Sequence, residues 1–91
     1  MGIDQSQIKK CIALAKEYGV AKLILFGSAL EKQGRAKDLD LACDGLSGWK
    51  IFEFGARVEE ELNISVDIIP LQPITAFTQY IEKKGQLLYA A

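Results

Sequence analysis

Apolar residues recur at three- and four-residue spacing in some stretches of the chain and at alternating or continuous spacing in others, and the switches between the two patterns mark its elements. Ile8, Cys11, Ile12 and Ala15 line one face of a first helix, which Asp4 or Ser6 can cap and which ends near Tyr18 and Gly19. Val20 to Phe26 is short and apolar enough for a buried strand and stops at Gly27. Ser28 opens a short helix from Ala29 to Gln33, Gly34 breaks it, and a basic loop follows. Asp38 to Cys43 is a second strand in which Leu39 and Leu41 alternate with Asp40, so acids and core residues face opposite ways.

Asp44-Gly45 is a turn signal, and Ser47 is placed to cap a third helix from about Gly48 to Leu62. Ile51, Phe54, Val58 and Leu62 form one stripe on it, with Trp49, Phe52 and Ala56 beside them, an apolar arc wide enough for burial on two sides or for an interface with a partner. Ile64 to Leu71 predicts a third strand, closed by Pro70, with Asp67 enclosed by Val66, Ile68 and Ile69. Pro73 suits the first turn of a last helix, Ile74 to Lys84, and Gly85 precedes an apolar ending, Leu87-Leu88-Tyr89. The expected fold is α+β: a small mixed sheet of three to four strands packed against helices.

With 91 residues the chain reads as one domain, residues 1–91. A domain of this size buries only about 60 to 65 % of its unfolded surface, so a partner or a second copy is a natural source of further burial. A hydrophobic fraction of 49 % with 25 % charged residues excludes a disordered chain. Eleven Lys and Arg against twelve Asp and Glu leave a net charge of −1, so no global positive field holds DNA or RNA. Cys11 and Cys43 both sit in apolar patterns and the chain has no histidine, which favours buried free thiols over a zinc site. No apolar run reaches the length of a membrane span and no signal segment opens the chain, so a cytoplasmic protein is expected.

The candidate chemistry lies between Leu23 and Cys43 and at Asp67. A helix starting after the Gly27-Ser28 turn offers unpaired N–H groups and a positive dipole end, and glycine lets a phosphate approach the backbone. Asp38 and Asp40, two apart on one strand, share a face, and two carboxylates held together repel unless cations lie between them. Oxygen-only ligation suits Mg²⁺. An acid at the centre of a buried strand is costly unless paired, which makes Asp67 the third candidate ligand. Separately, Gly27-Ser28 reads as a simple turn and each acid as a solvated or structural group; together, in this order, they point to a metal site. Lys32, Arg35 and Lys37 divide evenly between phosphate contact and a solvated loop.

Gly27-Ser28, nine residues, then Asp38-Leu39-Asp40-Leu41, with a further acid on a later strand, resembles the signature of the DNA polymerase beta-like nucleotidyltransferase superfamily. The compact length and the ending Ile81 to Tyr89 are similar to the minimal nucleotidyltransferases, MNT antitoxins encoded beside HEPN-domain partners. The resemblance implies transfer of a nucleoside monophosphate, AMP from ATP in the leading form, to an acceptor hydroxyl with pyrophosphate leaving. Gly27 and Ser28 would hold the triphosphate, and Asp38, Asp40 and Asp67 would form a catalytic two-Mg²⁺ site; Lys37, by its charge and place before Asp38, is a further nucleotide-binding candidate. The implied acceptor lies on a HEPN-type toxin, the implied role is antitoxin, and a homo-oligomer is the other partner expected. Two further readings stand beside it: a catalytically weak antitoxin that neutralises by binding alone, and a nucleotide-binding subunit of a larger transferase. Many members carry an arginine soon after the serine and a small polar residue before the first acid, where this chain has Ala29 and Lys37.

Overall fold

The computed structural model describes residues 4–27 and 38–91. Within them lie helices α1 (Gln5–Tyr18), α2 (Trp49–Leu62) and α3 (Ala76–Lys84) and strands β1 (Lys22–Phe26), β2 (Asp38–Asp44), β3 (Ser65–Pro70) and β4 (Gln86–Ala90). The strands form one mixed sheet in the order β3-β2-β1-β4. β1 runs antiparallel to both β2 and β4, and β2 runs parallel to β3. The parallel pair needs a crossover, which α2 provides. The apolar ending is thus a full strand on the far side of β1. The expected helix from Ala29 to Gln33, with Ser28, Gly34 and the basic residues Lys32, Arg35 and Lys37, lies outside the described residues.

Of the two caps open for α1, Asp4 is the one used. Asp4 Oδ1 accepts from the Gln7 N–H at 2.8 Å, and Gln7 Oε1 accepts from the Asp4 N–H at 3.0 Å, a reciprocal capping box. Gly19 closes the helix at φ 77°, in the left-handed region that glycine enters without strain. Helix α3 uses the same device with Thr75 and Thr78. It therefore starts at Ala76, later than Ile74, and Pro73 lies before it in the connector. Ser47 does not cap α2; Gly48 holds that position without a side-chain hydrogen bond.

The two faces of the sheet carry separate cores. On one, Leu23 and Leu25 of β1 and Leu39, Leu41 and Cys43 of β2 pack with Cys11, Leu14 and Ala15 of α1 and Phe54, Val58 and Leu62 of α2. On the other, Ile24 and Ala42 meet Ile81 of α3 and Leu71. The helical stripes of α2 part company: Phe54 and Val58 are fully buried, while Trp49 and Phe52 are 69 % and 79 % exposed. Burial on both sides of that helix is therefore not realised among the described residues, because the sheet accepts only one of its faces.

Strand β3 also departs from expectation. It is an edge strand, and Asp67 on it is exposed, not enclosed in a buried strand. Val66 and Ile68 point to the α2 side and Ile69 to the other, so the apolar flanks of Asp67 do not surround it. Glu59 of α2 accepts from the Val66 backbone N–H at 3.0 Å, occupying one donor of this strand.

Phe54→Ala is expected to lower the unfolding free energy by about 3 to 5 kcal/mol, a large part of the roughly 5 to 14 kcal/mol available to a chain of this length. Phe52→Ala, two positions away but outside the core, should change it by no more than about 0.5 kcal/mol. Urea denaturation of both variants checks the contrast. Burial pushes both thiols up from 9.0 to about 11, with Asp44 adding to the effect at Cys43. The native thiols should therefore resist alkylation near neutral pH and react once urea is added. Because unfolded thiols ionise first, stability should fall as pH rises from 9.0 towards about 11 and be untouched by these groups below that range.

Candidate active site

Strand β1 ends at Phe26, and Gly27 turns the chain at φ 79°. Two constraints keep glycine there. The left-handed conformation disfavours any side chain, and a Cβ on Gly27 would overlap the carboxylate of Asp40, with Asp40 Cγ at 3.0 Å. The turn after β1 and the acid of β2 are therefore in immediate contact.

Strand register sets the acids. Asp40 stands opposite Asp67 on the parallel β2–β3 pair, and Asp38 opposite Ser65. Directly opposed residues share a face, as do residues two apart, so Asp38, Asp40 and Asp67 all project from the face that carries Ile24 and Ala42. Asp38 and Asp67 are exposed and Asp40 is half-buried, so this end of the face is open to solvent. No three carboxylates among the described residues are gathered tightly enough to hold an ion between them. The backbone thus brings the acids to one corner without closing them into a cage. Their donors are all hard oxygens, the set that suits Mg²⁺. Asp44, further along β2, serves its turn instead: its Oδ1 accepts from the Gly45 N–H at 3.0 Å. Ser28 and Lys37, expected on the triphosphate, lie outside the described residues.

The same corner contains residues that the sequence reading did not single out. Phe26 pairs with Asp40 across β1 and β2 and so lies on the acid face. Behind it, α3 brings Phe77 to within 6.0 Å of the Phe26 ring, edge to face at 83°. Phe77, Tyr80 and Lys84 follow helical spacing and share one side of α3, a signal that by itself is that of any amphipathic helix.

The family profile described as Polymerase beta, Nucleotidyltransferase matches residues 9–91, nearly the whole chain. The chain belongs to that family. Among solved structures, this nucleotidyltransferase is similar to the MntA–HepT toxin–antitoxin pair, with a TM-score of 0.76 at 20 % identity over 97 % of this chain and 74 % of that one. A Shewanella oneidensis complex of a tri-AMPylated HEPN toxin with its MNT antitoxin matches with a TM-score of 0.77 at 21 % identity, over 98 % of this chain and 74 % of the other. A toxin–antitoxin structure with AMP-PNP gives 0.75 at 22 % identity, over 98 % and 75 %. At these identities the likeness is one of fold. Comparison with curated protein sequences gives no match. No helix among the described residues is long and apolar enough to cross a membrane.

Gly27→Ala should destabilise the domain by about 1 kcal/mol more than Gly19→Ala. Both glycines have positive φ, but a Cβ at Gly19 meets nothing within 4 Å whereas one at Gly27 meets Asp40. Paired urea titrations of the two variants isolate the cost of displacing that carboxylate.

Proposed function

We propose that this nucleotidyltransferase transfers AMP from ATP to a hydroxyl of a HEPN-type partner toxin and acts as its antitoxin. The observation that carries the reading is the pairing of Asp40 with Asp67 on adjacent strands, with Asp38 on the same face and Gly27 against Asp40. The related complexes support the choice of donor and acceptor: one holds an AMPylated HEPN toxin beside an MNT antitoxin, another AMP-PNP.

In this reading Asp38, Asp40 and Asp67 hold Mg²⁺, and Gly27 with Ser28 and Lys37 grips the triphosphate. Bound magnesium would neutralise phosphate charge and stabilise the entering and leaving oxygens. The chain's own contribution is positional. Gly27 lets the phosphates approach the backbone, and the half-buried Asp40 fixes the inner side of the site. Asp67 is exposed on the edge strand, and its carboxylate takes the proton of the acceptor hydroxyl. The acceptor oxygen bonds to the α-phosphorus as the bond to the bridging oxygen breaks, and pyrophosphate leaves.

A second reading, neutralisation by binding alone, draws on two observations: the acids are not closed into a cage among the described residues, and Trp49 and Phe52 present an exposed apolar surface. Labelled ATP and Mg²⁺, incubated with the chain alone and with the product of the neighbouring reading frame, separates the two. Label is expected on the partner, and Asp38→Asn and Asp40→Asn should each reduce it by about a hundredfold or more with the fold intact. Neutralisation that persists unchanged in both variants would establish the binding mode instead.

A further inference from the structure

A shallow cavity of about 260 Å³ runs along the outer rim of β3, where Phe52, Gly55 and Ala56 of α2 meet Val66, Asp67 and Ile68. Asp67 and Ile68 point to opposite faces of the sheet, so the cavity wraps around the edge of the strand. It is smaller than the roughly 300 to 1,000 Å³ of sites that enclose a small molecule. No strand lies beyond β3 among the described residues. We infer that this rim docks an extended segment of the acceptor protein, which adds beside β3 as a further strand and brings its hydroxyl side chain next to Asp67. The inference rests on the reading of Asp67 as the group that takes the acceptor's proton, and adds how the acceptor is held and which residues flank its hydroxyl.

Three observations carry it. First, the rim has hydrogen-bonding groups to offer. The Leu71 N–H donates to the Cys43 carbonyl at 2.8 Å, so Ile69 and Asp67, alternate residues back along β3, turn their backbone groups to β2, while Val66, Ile68 and Pro70 turn theirs outwards. Pro70 has no N–H, and the Val66 N–H is taken by Glu59 at 3.0 Å, which leaves an added strand the Ile68 N–H and the carbonyls of Val66, Ile68 and Pro70. Second, register places the chemistry. A residue directly opposite Asp67 on the added strand shares its face, with Cβ atoms about 4.5 to 5.5 Å apart, so a hydroxyl carried there meets the carboxylate. Its neighbour opposite Ile68 points to the other face, where the 79 % exposed Phe52 and the bare Gly55 accept an apolar side chain. Third, Glu59 and Asp67 make the rim acidic. On the far side of the hydroxyl the added strand passes Val66 and therefore Glu59. A basic residue there draws the Glu59 carboxylate off the Val66 N–H and frees that donor for the incoming backbone, so the guarded edge opens to a cationic segment. Laid antiparallel, the more stable of the two pairings, the segment runs apolar, hydroxyl, basic. The same charges disfavour a second copy as occupant: two β3 rims together oppose acid to acid, and β4, uncharged from Gln86 to Ala90, offers Glu59 no cation.

The test is fluorescence-anisotropy binding of a short labelled peptide centred on Leu-Tyr-Arg to the whole chain and to Phe52→Ala and Glu59→Gln. Both positions are exposed, so the folded state should persist, which circular dichroism melts verify. Phe52→Ala should weaken the peptide about tenfold and Glu59→Gln about fivefold. The same peptide methylated on the leucine nitrogen, which removes the donor to the Ile68 carbonyl, and one with the order reversed to Arg-Tyr-Leu should each bind about tenfold more weakly than the first. No binding of the first peptide at about 1 mM, or a methylated or reversed peptide that binds as tightly, overturns the inference. So does a concentration-dependent dimer that Phe52→Ala dissolves, which would make a second copy the occupant. Label transfer to the partner protein that Asp40→Asn abolishes and Phe52→Ala leaves unchanged overturns the docking rim while nucleotidyl transfer stands. Peptide binding with the expected sensitivities, but with no label passing from ATP to any hydroxyl, defeats nucleotidyl transfer and with it the acceptor role of the segment.

Discussion

Strand β2 has to satisfy two opposite demands, and the pleat lets it do so. Leu39, Leu41 and Cys43 are fully buried between the sheet and helices α1 and α2, which leaves Asp38 and Asp40 no choice but the opposite face. Because β2 is hydrogen-bonded on both sides, to β1 and to β3, it cannot rotate to relieve either demand. The apolar core and the acid corner are therefore two readings of one constraint. Anything that loosens the leucines also loosens the carboxylates, and burial free energy is what holds the charged groups in position.

That same alternation made much of the fold legible beforehand. The run Asp38-Leu39-Asp40-Leu41 has a period of two and little else it could be, and it lies in a strand, Asp38–Asp44, among the described residues. The stop at Gly27 was legible because an apolar run meets a residue able to turn. Asp67 was legible as a candidate but for an incomplete reason. Apolar neighbours in sequence suggest enclosure only if the strand is central, and periodicity says which way side chains point without saying which strand lies at the edge. On β3 Val66 and Ile68 face away from the acid, and its location opposite Asp40 comes from register, a long-range property that no local pattern contains.

The helices show the same limit from the other side. Trp49 and Phe52 extend the apolar arc of α2, yet the single sheet packs against only the Phe54 and Val58 side. For α3, the start was displaced because Thr75 and Thr78 form a stronger local terminus than Pro73 provides. Its aromatic residues carry no distinguishing sequence signal, since Phe77, Tyr80 and Ile81 follow ordinary helical spacing; only the tertiary placement separates the buried Ile81 from the two open rings. A small domain that leaves this many large apolar groups uncovered is equipped for contacts beyond its own core. Its structural relatives are somewhat longer, this chain matching about three quarters of their length, 74 % in the MntA–HepT case.

Between Asp40 and Asp67 runs the whole of α2, docked on one face of the sheet through Phe54, Val58 and Leu62 and followed at once by Asn63 in a left-handed turn at φ 54°. This crossover works as a ruler. Lengthening the link into β3 by one residue would slide the strand half a pleat and set Val66 opposite Asp40, shortening it would set Ile68 there, and either slip turns Asp67 to the core face that Leu41 and Phe54 share. The junction after α2 is thus a place where an insertion disturbs the acids, although it is a surface turn and bears no chemistry itself.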